Sequence, residues 1–187
     1  MASEIVPAVL GHDEGEFTQQ LNAIPAEIPL IQIDVLDNDV FVDPHRAFEA
    51  HLMVEKPIEI MEKWIKRGAV RVIVHKLSPE ILDYRASAEI GLGVEMSVPI
   101  EKVLEQAPRV DFVQFMSIDI MGEQGQPFNP KVFDRIRELK SKYPHLPVSV
   151  DGGVSLENYK ELEIAGADRL VVGSHFKELW QILQMKK

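Results

Sequence analysis

The 187-residue sequence contains no cysteine, which excludes disulfide bonds and thiolate metal sites. It also lacks a long hydrophobic run, since no window approaches the roughly 18 uninterrupted apolar residues that a membrane helix needs. Its first residues show neither the basic start nor the apolar stretch of a signal peptide. We therefore expect no membrane association and a cytoplasmic location.

Basic residues are also scarce, with 20 Lys and Arg against 30 Asp and Glu and a net charge of -10. This balance argues against nucleic acid as a partner, because nucleic-acid binding depends on clustered basic side chains that neutralise phosphates. The basic residues between Lys131 and Lys142 alternate with acidic ones, as is typical of a solvated helix face. Any phosphate ligand must then be bound by local dipoles or by a metal.

Short apolar, β-branched runs alternate with amphipathic segments along the whole chain. Continuous apolar runs are typical of parallel strands that are covered on both faces. The eight predicted strands are Glu4–Leu10, Pro29–Val35, Ala50–Val54, Ala69–His75, Gly91–Met96, Asp111–Ser117, Pro147–Asp151 and Arg169–Gly173. The seven predicted helices are Glu14–Ile24, Pro57–Arg67, Pro79–Ile90, Pro99–Gln106, Pro130–Tyr143, Leu156–Ala165 and Phe176–Met185.

This alternation predicts an α/β fold, a compact (β/α)8 TIM barrel formed by residues 1–187 as one domain. A doubly wound open sheet is the alternative architecture, and it would leave edge strands. The interval Leu36–Glu49 is too short for a full helix with its loops. We expect the helix between the second and third strands to be reduced to a turn around Pro44–Phe48.

Glycine-rich turns follow the last two predicted strands, at Gly152-Gly153 and Gly173-Ser174. Glycines let backbone N–H groups approach an anion closely, and these two loops are the recurrent phosphate site of the barrel fold. The alternative is that both are tight turns that need left-handed residues. The pair at matched positions favours a phosphate site.

Two aspartates, Asp34 and Asp151, are predicted at the ends of the second and seventh strands. Facing one small substrate, they could remove a proton from one face and return one to the other. They would repel each other unless a cation or a shared proton lay between them. Asp37 and Asp39 are interpreted as turn formers.

Two histidines belong to strand segments. His51 could complete an oxygen and nitrogen metal site with Asp34 and Asp151, although a lone histidine such as His51 or His75 is more often a core or turn residue. Met53 and Met116 are more often core filling, and the alternative is an apolar lid over a small ligand.

Several motifs resemble the ribulose-phosphate 3-epimerase family over nearly the whole chain. They are Asp34-Val-Leu-Asp37, His51-Leu-Met-Val-Glu55, Val113-Gln-Phe-Met-Ser117, Val150-Asp-Gly-Gly-Val154 and Val172-Gly-Ser174. The resemblance implies proton transfer that inverts C3 of a pentulose 5-phosphate, assisted by zinc, iron, manganese or magnesium. It also implies self-association into a homo-oligomer.

The resemblance assigns roles residue by residue. Asp34 and Asp151 match the acid and base positions, and with His51 they match the metal ligands. The phosphate-binding positions correspond to Gly125, Gly152, Gly153, Gly173 and Ser174, and Met53 and Met116 match the methionines over the reacting carbons.

The sequence departs from the family at one metal ligand, where Gln32 replaces a histidine. An amide oxygen is a weaker ligand for zinc than imidazole, so this change favours a harder cation. Whether His12 or His75 compensates stays open, and the strand-four histidine is followed by Lys76 instead of glutamate.

Three functions remain. The first is an epimerase that uses Asp34 and Asp151, and both aspartates favour it. The second is a non-catalytic protein that binds a sugar phosphate, and Gln32 favours that one. The third is a decarboxylase or aldolase on the same barrel, which lacks support because the lysine of an Asp-x-Lys-x-x-Asp motif is missing after Asp34.

Overall fold

The fold is taken from a computed structural model that describes residues 2–120, 122 and 125–185. Eight strands form a closed barrel in which each strand runs parallel to the next and the last pairs with the first. The strands are β1 Glu4–Val9, β2 Leu30–Val35, β3 Ala47–Leu52, β4 Ala69–Val74, β5 Glu89–Val94, β6 Phe112–Met116, β7 Val148–Asp151 and β8 Arg169–Val172. The predicted TIM barrel is confirmed.

Helices connect the strands on the outside of the barrel. They are α1 Glu14–Ala23, α2 Pro57–Lys66, α3 Pro79–Leu82, α4 Ile100–Gln106, α5 Val132–Lys142, α6 Tyr159–Ala165 and α7 Phe176–Gln184. Two of them begin at a proline, where the missing N–H removes a group that would be unpaired in any case. None of the helices in the described residues combines the length and the apolar character needed to cross a membrane.

One predicted helix is much shorter than expected. The sequence pattern predicted a helix over Pro79–Ile90, but α3 ends at Leu82 and a 3-10 turn covers Asp83–Ala86. The reason is that Ile90 already belongs to β5, where its N–H donates to the Asp111 carboxylate at 2.8 Å. The third strand likewise begins three residues earlier than predicted, at Ala47.

The connection between β2 and β3, residues 36–46, is fully described and contains no helix, as predicted. The expected turn around Pro44–Phe48 corresponds to a bend at His45–Arg46, where His45 adopts a left-handed backbone (φ 51°), and the last two residues of that range already belong to β3. Asp39 adopts a left-handed backbone (φ 47°) and accepts hydrogen bonds from Trp64 Nε1 at 3.0 Å and Arg67 Nη1 at 2.8 Å. These bonds fix the segment against α2, where it covers the barrel in place of a helix.

The apolar core has two parts. The larger lies between the strands and the helices and includes the fully buried Trp64, Phe17 and Phe115. A smaller cluster of Val6, Leu30 and Val171 lies apart from it. Fully buried polar side chains also occur on the strands, and they are Gln32, Glu49, His51, Gln114 and Ser149.

An ion-pair network occupies the N-terminal end of the barrel. Glu49 is fully buried and pairs with Arg71 at 3.3 Å, and Arg71 also pairs with Glu89 at 2.9 Å. Arg169 lies 3.6 Å from Glu4 and 3.9 Å from Glu89. Because β5 and β8 are not neighbours in the barrel, the Arg169–Glu89 contact runs across it. Burial raises the pKa of Glu49 to about 7, although the positive charges of Arg71 and Arg169 oppose the rise.

Candidate active site

A cleft opens at the C-terminal ends of the strands, with about 530 Å³ of empty space that includes part of the open solvent at its mouth. This is the end at which active sites of β/α barrels lie, because the loops that follow the strands meet there. Its lining combines two carboxylates, several glycines and apolar side chains. They include Asp34, Asp151, Met53, Met116, Gly125, Gly152, Gly153, Gly173 and Ser174.

The two aspartates of the cleft are brought together from opposite parts of the barrel. Asp34 lies on β2 and Asp151 at the end of β7, and each side chain is about 11% exposed. The side-chain amide of Gln32 joins them, since its Nε2 donates to Asp34 Oδ1 at 2.8 Å and to Asp151 Oδ2 at 2.7 Å. Two carboxylates therefore face one small cleft, and both accept a hydrogen bond from the same donor, Gln32 Nε2.

His51 lies fully buried beneath the aspartates. Its Nδ1 is 3.2 Å from Asp34 Oδ1 and 3.4 Å from Asp151 Oδ2. Burial alone would lower the pKa of His51, but the hydrogen bonds and charges of Asp151 and Asp34 outweigh it and raise the pKa to about 9. Burial also raises the pKa of Asp34, and the charge of Asp151 adds to that rise while His51 and Gln32 oppose it.

The same three residues could hold a metal ion. One ligand atom each from Asp34, His51 and Asp151 lies within 4.8 Å of the other two. Two carboxylates and an imidazole suit zinc, iron or manganese, so this part of the donor set fits a divalent metal.

Gln32 fits a metal less well than those three residues. Its nitrogen, which cannot act as a ligand, is turned toward the carboxylates. Its buried Oε1 has no hydrogen-bond partner in the described part of the chain. Gln32 would join the metal ligands only if its amide turned over to present that oxygen.

Gln114 on β6 is a further polar contact that the sequence did not single out. Its Nε2 donates to Asp151 Oδ2 at 3.1 Å, the oxygen that also accepts from Gln32. Gln114 belongs to the Val113–Ser117 motif and lies two residues before Met116, on the same face of β6, and these are the signals that could have indicated it. Asp151 is thus held by two amides and one imidazole.

The turn after β7 requires glycine at both positions. Gly152 and Gly153 have φ of +105° and +63°, which disfavours any side chain. A Cβ at Gly152 would also lie 2.7 Å from Ile118 Cγ2, and one at Gly153 2.9 Å from the Phe128 backbone. Asn158 fixes the turn by donating to the Gly153 carbonyl at 2.9 Å. The glycines therefore hold backbone in the wall of the cleft where no side chain fits.

The turn after β8 completes the same wall. Gly173 and Ser174 precede α7, which begins at Phe176, so the positive end of a helix dipole faces this side of the cleft. His175 also lines the cleft, although no role was predicted for it from the sequence. Its position directly after Ser174, a predicted phosphate-binding residue, could have indicated that His175 lies at the cleft.

The remaining predicted residues divide between the cleft and other places. Met53 and Met116 line the cleft, as predicted for an apolar lid. His12 lies before α1, where its backbone N–H donates to Glu16. His75 contacts His51, with the two Nε2 atoms 2.9 Å apart, and burial together with the charge of His51 lowers the pKa of His75 to about 3.

The fold and the cleft place the chain among TIM barrels. The crystal structure of KGPDC from Streptococcus mutans has a TM-score of 0.68 and 13% identity, covering 92% of this chain and 88% of that one. The 3-hexulose-6-phosphate synthase from Salmonella typhimurium has a TM-score of 0.69 and 14% identity, covering 98% and 100%. At these identities the likeness shows the fold alone.

The family follows from the sequence. The chain belongs to the ribulose-phosphate 3 epimerase family, which it matches over residues 4–177. It is 30% identical to a ribulose-phosphate 3-epimerase of Chlamydia muridarum, over 92% of this chain and 87% of that one. The corresponding protein of Chlamydia trachomatis is 31% identical, with 93% and 86% covered.

Proposed function

We propose that this protein is a ribulose-phosphate 3-epimerase that inverts C3 of a ketose phosphate by a two-aspartate proton transfer. The observation that carries the proposal is that Asp34 and Asp151, from β2 and β7, line one cleft together with the glycine turns after β7 and β8. Membership of the family supports the same reaction. The substrate class is a small sugar phosphate.

The two carboxylates can perform the proton transfer if they act on opposite faces of the substrate. One carboxylate takes the proton from C3, which leaves an enediolate, and the other carboxyl gives a proton to the opposite face. One of the pair must therefore be charged while the other carries a proton. In the absence of a metal, burial and then the charge of Asp151 raise the pKa of Asp34, which favours a proton on that carboxyl.

The remaining cleft residues have supporting roles in the proposal. The backbone of Gly152, Gly153, Gly173 and Ser174 binds the phosphate, with Gly125 nearby, and the α7 dipole favours its charge. Met53 and Met116 present apolar surface beside the carboxylates, which keeps water from the reacting carbon.

A divalent metal is part of the proposal. Asp34, His51 and Asp151 would hold it, and Gln32 would be a fourth ligand only through its amide oxygen. When bound, the metal supplies positive charge that stabilises the oxygens of the enediolate. The amide at position 32 favours manganese or magnesium over zinc and iron.

The experiment is an assay of ribulose 5-phosphate turnover with Asp34→Asn, Asp151→Asn and the control Asp37→Asn. Asp37 is exposed and lies three residues after Asp34. Each site variant should lose roughly 10²- to 10⁴-fold in kcat, the usual range for removing an acid or base, and the control should not. Deuterium from solvent should appear at C3 in wild type. Full turnover by both site variants would refute the mechanism.

A non-catalytic sugar-phosphate-binding protein is the second candidate. The observation that favours it is the Gln32 amide, which occupies the space between the carboxylates with nitrogen rather than with a ligand atom. Binding of ribulose 5-phosphate in the presence of manganese, magnesium, zinc and iron, with no turnover and no deuterium exchange under any of them, would establish this function instead.

The proposal extends to the organisation of the protein. It is a single domain over residues 1–187 that self-associates into a homo-oligomer and works in the cytoplasm. The excess of acidic residues supports a small-molecule partner rather than nucleic acid. Light scattering of the purified protein gives the mass that tests self-association.

A further inference from the structure

His75 immediately follows β4. It contacts the Nε2 side of the His51 ring, whereas Asp34 and Asp151 contact the Nδ1 side. The two Nε2 atoms are 2.9 Å apart, and the ring centroids are 5.1 Å apart. The His75 side chain is about 13% exposed and that of His51 is fully buried. A nitrogen pair at this distance shares one proton, so one ring donates and the other accepts.

The contact with His75 holds the His51 ring by its second nitrogen. His51 Nδ1 lies 3.2 Å from Asp34 Oδ1, 3.4 Å from Asp151 Oδ2 and 3.4 Å from the amide nitrogen of Gln32. His51 Nε2, on the other side of the ring, contacts His75 Nε2, so the ring is held from both sides.

Metal ligation through His51 Nδ1 fixes the direction of this hydrogen bond. A ligating imidazole is neutral and carries its hydrogen on the other nitrogen, which almost always donates to a neighbouring acceptor. His51 Nε2–H then donates to His75 Nε2, the nitrogen that lies 2.9 Å from it.

The barrel is shaped to admit the His75 ring. A Cβ at Gly93 on β5 would lie 2.8 Å from His75 Cε1 and 2.9 Å from its Nε2, so any side chain there would displace the ring. The carboxylate of Glu95 is 3.8 Å from His75 Nδ1, too far for a hydrogen bond. Nδ1 has no hydrogen-bond partner among the described residues, so the contact with His51 is what orients the ring.

We propose that His75 is a positioning residue that accepts the Nε2–H of His51 and so keeps His51 Nδ1 directed between Asp34 and Asp151. The consequence for turnover rests on the proposed function, but the hydrogen bond and its effect on metal binding do not. In metal sites the acceptor of a ligating histidine's second N–H is commonly a carboxylate or a backbone carbonyl, and here His75 takes that role.

The test compares three variants. His75→Phe keeps a ring without an acceptor, His75→Gln keeps an acceptor oxygen near the Nε2 position, and Gly93→Ala displaces the ring while leaving its chemistry intact. His145→Gln, at an exposed position, is the matched control. The readouts are the nitrogen–nitrogen coupling across the hydrogen bond in metal-free protein, measured by ¹⁵N NMR, and the manganese affinity measured by calorimetry.

We expect the coupling in wild type and in His145→Gln, and its loss in His75→Phe and Gly93→Ala. Manganese affinity should fall roughly 10- to 100-fold in those two variants, the usual cost of losing such a partner, and His75→Gln should retain most of it. If His75→Phe does not fold, Gly93→Ala and His75→Gln decide between the outcomes.

Wild-type protein without the coupling, or wild-type manganese affinity in His75→Phe and Gly93→Ala, would overturn the proposal. Wild-type protein that shows the coupling and binds manganese but never turns over ribulose 5-phosphate contradicts the proposed function and leaves the role of His75 standing.

Discussion

The two ends of the barrel both bury carboxylates, and they compensate the charge in different ways. At the N-terminal end Glu49 pairs with the guanidinium of Arg71, a cation at any physiological pH. At the C-terminal end Asp34 and Asp151 share a single imidazole, His51, as their ion-pair partner within the described residues, together with amide donors.

This difference separates a structural end from a reactive one. A fixed guanidinium holds a carboxylate in one protonation state, which suits stability. An imidazole and two amides leave a carboxylate able to gain or lose a proton, which suits proton transfer or the binding of a cation. The same contrast is expected of β/α barrels in general, where the N-terminal face serves stability and the C-terminal face serves catalysis.

The sharpest way to test this contrast is to neutralise the reactive end. In Asp151→Asn, we expect ribulose 5-phosphate turnover to fall by roughly 10²- to 10⁴-fold because an acid or base is lost. Stability should change little, since the amide removes the repulsion between two neighbouring carboxylates but also weakens the ion pair with His51. Steady-state kinetics and urea unfolding of the same preparation measure both. A variant that unfolds more easily and keeps its activity would make this end structural.

The second largest effect concerns the structural end. Arg71→Met leaves the fully buried Glu49 without its nearest cation, and removing one partner of a buried pair typically costs about 3 to 5 kcal/mol. We expect the loss of unfolding free energy in Arg71→Met to lie near the lower end of this range, because the side chain of Arg71 is itself 17% exposed. Urea unfolding gives the change, and Lys66→Met, an exposed cation on α2, is the control. Activity per folded molecule should be unchanged.

The third effect depends on pH. The pKa of Glu49 is about 7 in the folded protein and ordinarily 4.5, so the folded state holds this proton more tightly. Stability should therefore fall as the pH rises from 4.5 to 7, by on the order of 3 kcal/mol at most. In Glu49→Gln this fall should disappear.

The measurement is urea unfolding of wild type and Glu49→Gln at several pH values, and only the difference between the two curves reports Glu49. Equal pH dependence of the two proteins on both sides of neutrality would mean that Arg71 and Arg169 keep Glu49 charged throughout.

Much of the fold could be predicted because it depends on local pattern. Eight apolar runs alternate with amphipathic segments, and the periodicity of each segment is set by neighbours in the sequence. Helix α3 was the exception, since Ile90 satisfies a helical pattern but is held in β5 by pairing with Val72 and by Asp111. Only contacts distant in sequence decide that competition.

The site was predictable where a residue stands at a strand end and less so inside the barrel. Asp34 and Asp151 could be placed at one mouth because all parallel strands end there. The contacts of Gln32, Gln114 and His75 depend on which inward-facing side chains meet when the barrel closes. The register of the whole sheet decides which of these side chains meet, so no single segment of the sequence predicts the contacts.

The smallest expected effect concerns the metal preference of the reactive end. The question is whether Gln32 is the residue that keeps this end from binding zinc tightly. In Gln32→His an imidazole replaces the amide, and with Asp34, His51 and Asp151 it makes a set of two carboxylates and two imidazoles, which suits zinc. We expect zinc affinity to rise at least about tenfold, the range over which even outer-shell changes act. Manganese affinity should change less, because manganese discriminates less between oxygen and nitrogen ligands. Calorimetric titration with each metal measures the ratio, and Gln19→His, at an exposed position on α1, is the control. Equal gains for both metals would show that position 32 does not set the metal preference, and that the amide acts only through its hydrogen bonds to the two carboxylates.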